Sequence, residues 1–168
     1  MGEQAKKPVI NIADVPLRNG GNGKAFKAKI ASFGPMIGLD GIGCMLHVVE
    51  PGEKAFPFHV HHQISEMFLI LEGEGTYRFG GESYPVRAGD VCAAPTGGPE
   101  RAHQIVNTGK TTLKYLGIST RTETEVVEYP DSGKFAVMSR FDWSNPKAGG
   151  IRYVGRAGNT LDYFEGES

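Results

Sequence analysis

The sequence predicts an all-β protein of sandwich or barrel type, and three observations carry that expectation. Short apolar or alternating runs recur from Ala25 to Ser119, each closed by a turn signal rich in glycine, proline or asparagine. Glycine (24 of 168 residues) and proline (10) are spread along the chain, and both interrupt helices. No segment before residue 120 has a helical repeat. The length suffices for one domain with a real core.

Residues 1–24 read as an N-terminal arm, with Asn19-Gly20-Gly21-Asn22-Gly23 as a flexible surface loop. It is not a phosphate loop, because Lys24 is followed by Ala25 and the upstream glycine is missing. The barrel is expected over residues 25–120. Ala25–Phe33 alternates, and Ile42–Val49 is apolar with period-two features and stops at Pro51-Gly52. Phe58–His61 is short, and Met67–Leu71 is a continuous apolar run ending at Gly73. Thr76–Phe79 closes on Gly80-Gly81, a hairpin signal. Ser83–Val86, Val91–Ala94, Gln104–Val106 and Leu113–Ser119 complete the series. Residues 121–168 read as an extension: a charged, mixed stretch Arg121–Glu128, a turn at Tyr129–Gly133 and a further strand at Phe135–Met138. Trp143, Tyr153, Tyr163 and Phe164 make this tail too aromatic for disorder. It is expected to pack on the barrel or on a second subunit.

Composition removes some functions. Lysine and arginine (18) nearly balance aspartate and glutamate (19), and no basic block stands out, which argues against a nucleic-acid partner. No stretch approaches the roughly 20 apolar residues that span a bilayer, so no membrane association is expected. Met1 to Val15 lacks the apolar core of a secretory signal. Cys44 and Cys92 read as buried free thiols, with a disulfide as the alternative, and a cytoplasmic location is expected.

The chemistry concentrates in His59-Val60-His61-His62-Gln63-Ile64-Ser65-Glu66 and in His103. A strand alternates its faces, so His59 and His61 share one face about 7 Å apart and His62 points away. Glu66 follows a short turn, and a hairpin would bring its carboxylate back toward the histidine pair. Three imidazoles and a carboxylate suit Mn, Fe, Co, Ni, Cu or Zn, whereas calcium and magnesium prefer oxygen donors.

These runs resemble the two cupin motifs. In the first, a glycine precedes His-x-His, and Glu and Gly follow; here they are Gly52, His59, His61, Glu66 and Gly73, with Gly52 one residue further upstream than usual. The second is matched by Gly89, Pro95, Gly97, His103 and Asn107, with five residues instead of two between Gly97 and His103. The insertion, Gly98–Ala102, lengthens a loop near the pocket mouth. The resemblance covers roughly residues 40–120. It implies a double-stranded β-helix, a jelly-roll-like barrel, with one divalent transition metal held by His59, His61, Glu66 and His103. It also implies a homodimer, as small cupins are often dimers. By alternation Phe68 and Ile105 share the faces of Glu66 and His103 and should wall the metal pocket. Tyr77 and Phe79 are expected in the core, Glu72 and Glu74 in solvent, and His47 and His62 on the outer face or at most behind the ligands.

Coordination decides what such a site can do. Four protein ligands saturate tetrahedral zinc, whereas an octahedral ion keeps two adjacent positions open. The expected function is that of a small metalloenzyme whose metal serves as Lewis acid on a small oxygen-rich, sugar-like or sugar-phosphate-like substrate, in an isomerase or lyase reaction. The alternatives are an iron- or copper-dependent dioxygenase and a non-enzymatic module that binds a small ligand. No catalytic residue is assigned. Tyr77, Tyr84, Tyr115 and His47 qualify as proton carriers by type only, and Arg78, Arg101 and Lys114 are the candidates for holding a phosphate.

Overall fold

The computed structural model describes residues 6–140, 149–158 and 160–167. The chain first forms β1 (Arg18–Gly21), β2 (Lys27–Ser32), β3 (Ile42–Val49), β4 (Val60–His61) and β5 (Glu66–Glu72). Then come β6 (Glu74–Phe79), β7 (Glu82–Arg87), β8 (Val91–Ala94), β9 (His103–Val106) and β10 (Leu113–Thr120). The extension adds β11 (Thr124–Tyr129), β12 (Lys134–Ser139) and β13 (Ile151–Gly155). Helical structure among the described residues is limited to short 3-10 turns.

Three sheets result. One has the order β1-β2-β3-β10-β5-β8, a second β13-β12-β11-β4 and a third β7-β6-β9. The isolated bridge His59↔His103 ties β4 to β9, so the two smaller sheets run on into one wall facing the six-stranded one. Every strand pairing among the described residues is antiparallel. Two antiparallel walls closing on each other make the double-stranded β-helix.

The strand that built the barrel's central pair reads as the sequence implies. Along β3, Met45, His47 and Val49 turn toward the barrel interior, while Cys44 and Leu46 turn to the outer face. Both faces are covered. Inside, Val49, Phe68, Ile70, Tyr77, Cys92, Ile105, Leu113 and Tyr115 form the core. Outside, Cys44 and Leu46 pack with Ala31, Phe33 and Val15, and Ile10 and Ile12 lean on the same cluster. Ile10, Ile12 and Val15 therefore lie over a sheet face that would otherwise expose apolar side chains. Both cysteines are buried and free.

Three elements differ from the sequence expectation. Arg18–Gly21 is a strand paired with β2 and not a loop, because its backbone completes the sheet edge. The charged stretch after Arg121 contains β11, which pairs with both β12 and β4. Ile151–Gly155 forms β13 on the far edge of that sheet. Of the tail aromatics, Tyr163 and Phe164 stay exposed and contact each other at 4.9 Å. Tyr153 packs against Phe135 at 5.8 Å. Trp143 lies outside the described residues.

Candidate metal centre

Separate parts of the chain supply the histidines and the glutamate. His59 and His61 flank Val60 at β4, Glu66 opens β5 and His103 opens β9. Backbone pairing brings the first and last together: the His59 and His103 amides donate to each other's carbonyls at 3.1 and 2.7 Å. The His59 and His61 rings face each other at 5.0 Å, whereas His62 turns outward and bonds Glu128 at 2.7 Å.

The convergence is on one atom. Glu66 Oε2 lies 3.1 Å from His103 Nε2, 3.4 Å from His61 Nε2 and 3.9 Å from His59 Nε2. Donor atoms of His59, His61 and Glu66 all lie within 4.8 Å of one another. Donors that share one ion at about 2.1 Å stand at most about 4.2 Å apart, so small side-chain movements close this set on a metal. His103 sits outside that tight triad and joins it through Glu66; its ring is 4.5 Å from that of His59 and 6.3 Å from that of His61.

The remaining ring nitrogens are held from behind to different degrees. His59 Nδ1 donates to the Pro57 carbonyl at 2.8 Å, which leaves Nε2 as the lone-pair nitrogen. His61 Nδ1 makes no hydrogen bond but faces Glu125 Oε2 at 3.7 Å. His103 Nδ1 is buried and unpaired. Burial opposes charge on Glu66, yet its hydrogen bonds with His103 and His61 hold the carboxyl well below the usual range. Burial also opposes charge on His61, but Glu125 and Glu66 on either side push its pKa up to about 9. For His59, burial and then the neighbouring His103 and His61 push it down to about 4. An ionised carboxylate among imidazoles suits a divalent cation, and the proton on His61 occupies the place a cation would take.

The cluster opens on a cavity of about 310 Å³. Its apolar walls include Met45, Phe56, Phe68, Val127 and Met138. A cleft of about 450 Å³ beside Glu74, Pro85 and Thr108 contains no part of the cluster, and the smaller cavity is where the chemistry lies.

Phe68 lines this cavity, with its ring 5.7 Å from that of His103. Ile105 does not. It faces inward but belongs to the packed core, one strand repeat deeper than His103, where other side chains close the barrel. His47 is a second correction. Its ring is 3 % exposed, stacks on Tyr115 at 4.4 Å and lines the cavity, so it is not on the outer face. Tyr77 donates to the Ala93 carbonyl and Tyr84 bonds Glu82 at the surface, which leaves His47 as the cavity-lining member of the four proton-carrier candidates. Arg78 bonds Gln104 and Asp131, Arg101 bonds the Thr96 carbonyl and Lys114 bonds Glu72. None of the three lines the cavity.

Two residues here were not singled out from sequence. Tyr129, read as part of a turn, lines the cavity 6.3 Å from the His59 ring. Glu125, read as part of a charged, mixed stretch, is 4 % exposed beside His61. The alternation Glu125, Val127, Tyr129 was the available signal, but its inward position is marked by a carboxylate, which ordinarily marks the outward face.

An antiparallel double-stranded β-helix with three histidines and a glutamate inside its mouth is the architecture of a cupin. Residues 45–119 match the Cupin domain model of the Cupin_2 family, which places that segment in the cupin superfamily. Among solved structures it resembles an Acidithiobacillus ferrooxidans protein provisionally called a sugar phosphate isomerase. That match has a TM-score of 0.79 and 26% identity, and covers 92% of this chain and 96% of the other. A Silicibacter pomeroyi cupin described as a sugar phosphate isomerase superposes with a TM-score of 0.75 at 24% identity, over 91% of this chain and 95% of that one. An oxalate-binding protein of Thermotoga maritima is 37% identical over 68 residues, 40% of this chain and 54% of that protein. The chain spans 54% to 65% of the length of the curated relatives it matches.

Proposed function

We propose that the chain is a metal-dependent cupin enzyme of isomerase or lyase type acting on a small, oxygen-rich, sugar-like substrate. The observation that carries this reading is the approach of three imidazole Nε2 atoms to Glu66 Oε2, at 3.1 to 3.9 Å, on the wall of a cavity of about 310 Å³. The volume is at the lower end of ligand pockets, so the substrate is small. His59, His61, Glu66 and His103 hold one divalent transition metal, which supplies Lewis acidity to a carbonyl or a pair of vicinal oxygens.

The other cavity residues do the rest. Met45, Phe56, Phe68, Val127 and Met138 exclude water from the bound substrate. Burial pushes the His47 pKa down to about 4, partly offset by Glu66 and by the backbone of Tyr115 and Met45. The imidazole is therefore neutral at neutral pH and able to accept a substrate proton. Among the described residues no lysine or arginine lines the cavity, so the sugar part of the substrate, rather than a phosphate, is what this wall recognises. The likeness to the Acidithiobacillus protein supports the isomerase reading. A second reading, a binding module for a small oxygen-rich anion, draws on the Thermotoga oxalate-binding relative. A homodimer fits the exposed Leu161, Tyr163 and Phe164, and the two buried free thiols suit the cytoplasm.

The test is a panel of aldoses, ketoses and small hydroxy acids incubated with the metal-loaded protein in deuterated water. Deuterium entering a C–H position next to a carbonyl supports proton-transfer chemistry, and His47→Gln should slow it at least tenfold with metal content unchanged. Tight binding without exchange or turnover supports the binding module. Oxygen consumption would replace both with dioxygenase chemistry.

A further inference from the structure

We infer that Glu125, contributed by the extension beyond the cupin-matched segment, is a positioning residue for the metal centre, acting through His61. The inference rests on the metal-site reading above.

Three features of its surroundings agree. Strand register places Val127 opposite His61, so alternation sends Glu125, two residues earlier, to the same inward face. Its Oε2 then faces His61 Nδ1 at 3.7 Å, behind the ring whose Nε2 points at Glu66. The same carboxylate also grips the backbone that links two ligands. Oε1 accepts from the amides of His62 and Gln63 at 2.9 and 3.1 Å, and Oε2 accepts from Ile64 at 2.8 Å. This short turn is what returns the chain from His61 to Glu66. With the Val126 amide at 2.9 Å, this buried carboxylate has four amide donors and does not move easily, because each is a charge-assisted bond in a site of low dielectric.

The consequence for His61 is specific. A carboxylate behind Nδ1 keeps the proton on that nitrogen and directs the Nε2 lone pair to the metal, while raising the basicity of the ring. His59 is held more closely from behind, its Nδ1 donating to the Pro57 carbonyl at 2.8 Å. Two of the candidate ligands are thus oriented from behind, one by the barrel's own loop and one by the extension.

The experiment uses the full chain and cobalt(II) as the probe. Isothermal titration gives the affinity of the wild type, Glu125→Gln, His61→Ala and the double variant, and the cobalt d–d spectrum reports ligand geometry. Glu125→Gln should weaken cobalt binding about 10- to 100-fold and shift the spectrum. In the His61→Ala background it should weaken binding less than threefold, because the partner through which it acts is gone. Wild-type affinity and spectrum in Glu125→Gln, or an equal loss in both backgrounds, overturns the proposal. If Glu125→Gln does not fold, ¹⁵N-histidine NMR of the zinc-loaded wild type decides. A slowly exchanging Nδ1–H on His61 supports the role, and a deprotonated Nδ1 contradicts it. A wild type that binds neither metal overturns the metal-site reading itself and this inference with it, which separates the two failures.

Discussion

Glu66 is the residue on which the site turns, since its Oε2 is the atom that His59, His61 and His103 approach together. Between two carboxylates the pKa of His61 is raised to about 9. A raised histidine pKa stabilises the metal-free fold fully below about 6.5, the ordinary value, and that contribution is lost as pH climbs through about 9. Metal must displace the same proton, so cobalt affinity should rise close to tenfold per pH unit between about pH 6.5 and 8.5. Titrations across that range check it, and a flat profile contradicts it. Asn107 shows a residue whose role is purely architectural. It is fully buried, donates to the Val49 and Thr111 carbonyls and accepts from the Gly109 amide. Asn107→Ala should cost about 2–3 kcal/mol in urea unfolding by orphaning these groups. His59, His61 and Glu66 were legible in the sequence because their spacing is local and fits the period of a strand, and His103 through the resemblance to the second cupin motif. His47, Glu125 and Tyr129 were not, because each meets the cluster from a strand or loop distant in sequence.

Element geometry explains how so short a strand presents two candidate ligands, His61 within it and His59 just before it. β4 has only two residues, yet it is paired with β11 on one side and joined through the His59↔His103 bridge to β9 on the other. A slip of one residue would turn His59 and His61 outward and His62 inward, so this pairing is what defines the site. The hairpin after β5 depends on Gly73, whose φ is +79° and whose missing Cβ would stand 2.4 Å from the Thr112 carbonyl oxygen. Gly73→Ala should lower stability by about 1–3 kcal/mol, measurable as a reduced denaturation midpoint. Strands whose alternation was apolar, β3, β8 and β10 among them, lie where the sequence implied. β1 and β11 were hidden. The first is built from Arg-Asn-Gly-Gly, a turn composition, and the second buries a glutamate where the pattern calls for an apolar side chain.

Across the whole molecule, the barrel is covered on one side and extended on the other. Ile10, Ile12 and Val15 pack over the outer face of the six-stranded sheet, around Phe33 and Leu46. The extension adds its strands beside β4, brings Val127, Tyr129 and Met138 to the cavity and sets Glu125 behind His61. The two regions should behave independently: Phe33→Ala should cost about 3–5 kcal/mol of stability while leaving cobalt affinity within twofold. A resident metal at the centre is the central claim. Its most direct test is elemental analysis of the purified protein and of its single variants under identical conditions. The account predicts about one divalent transition metal per chain in the wild type and in His62→Ala, with most of it lost in folded His59→Ala and His103→Ala. Equal metal content in all four proteins, or none in the wild type after exposure to Mn, Fe, Co, Ni, Cu and Zn, would contradict it.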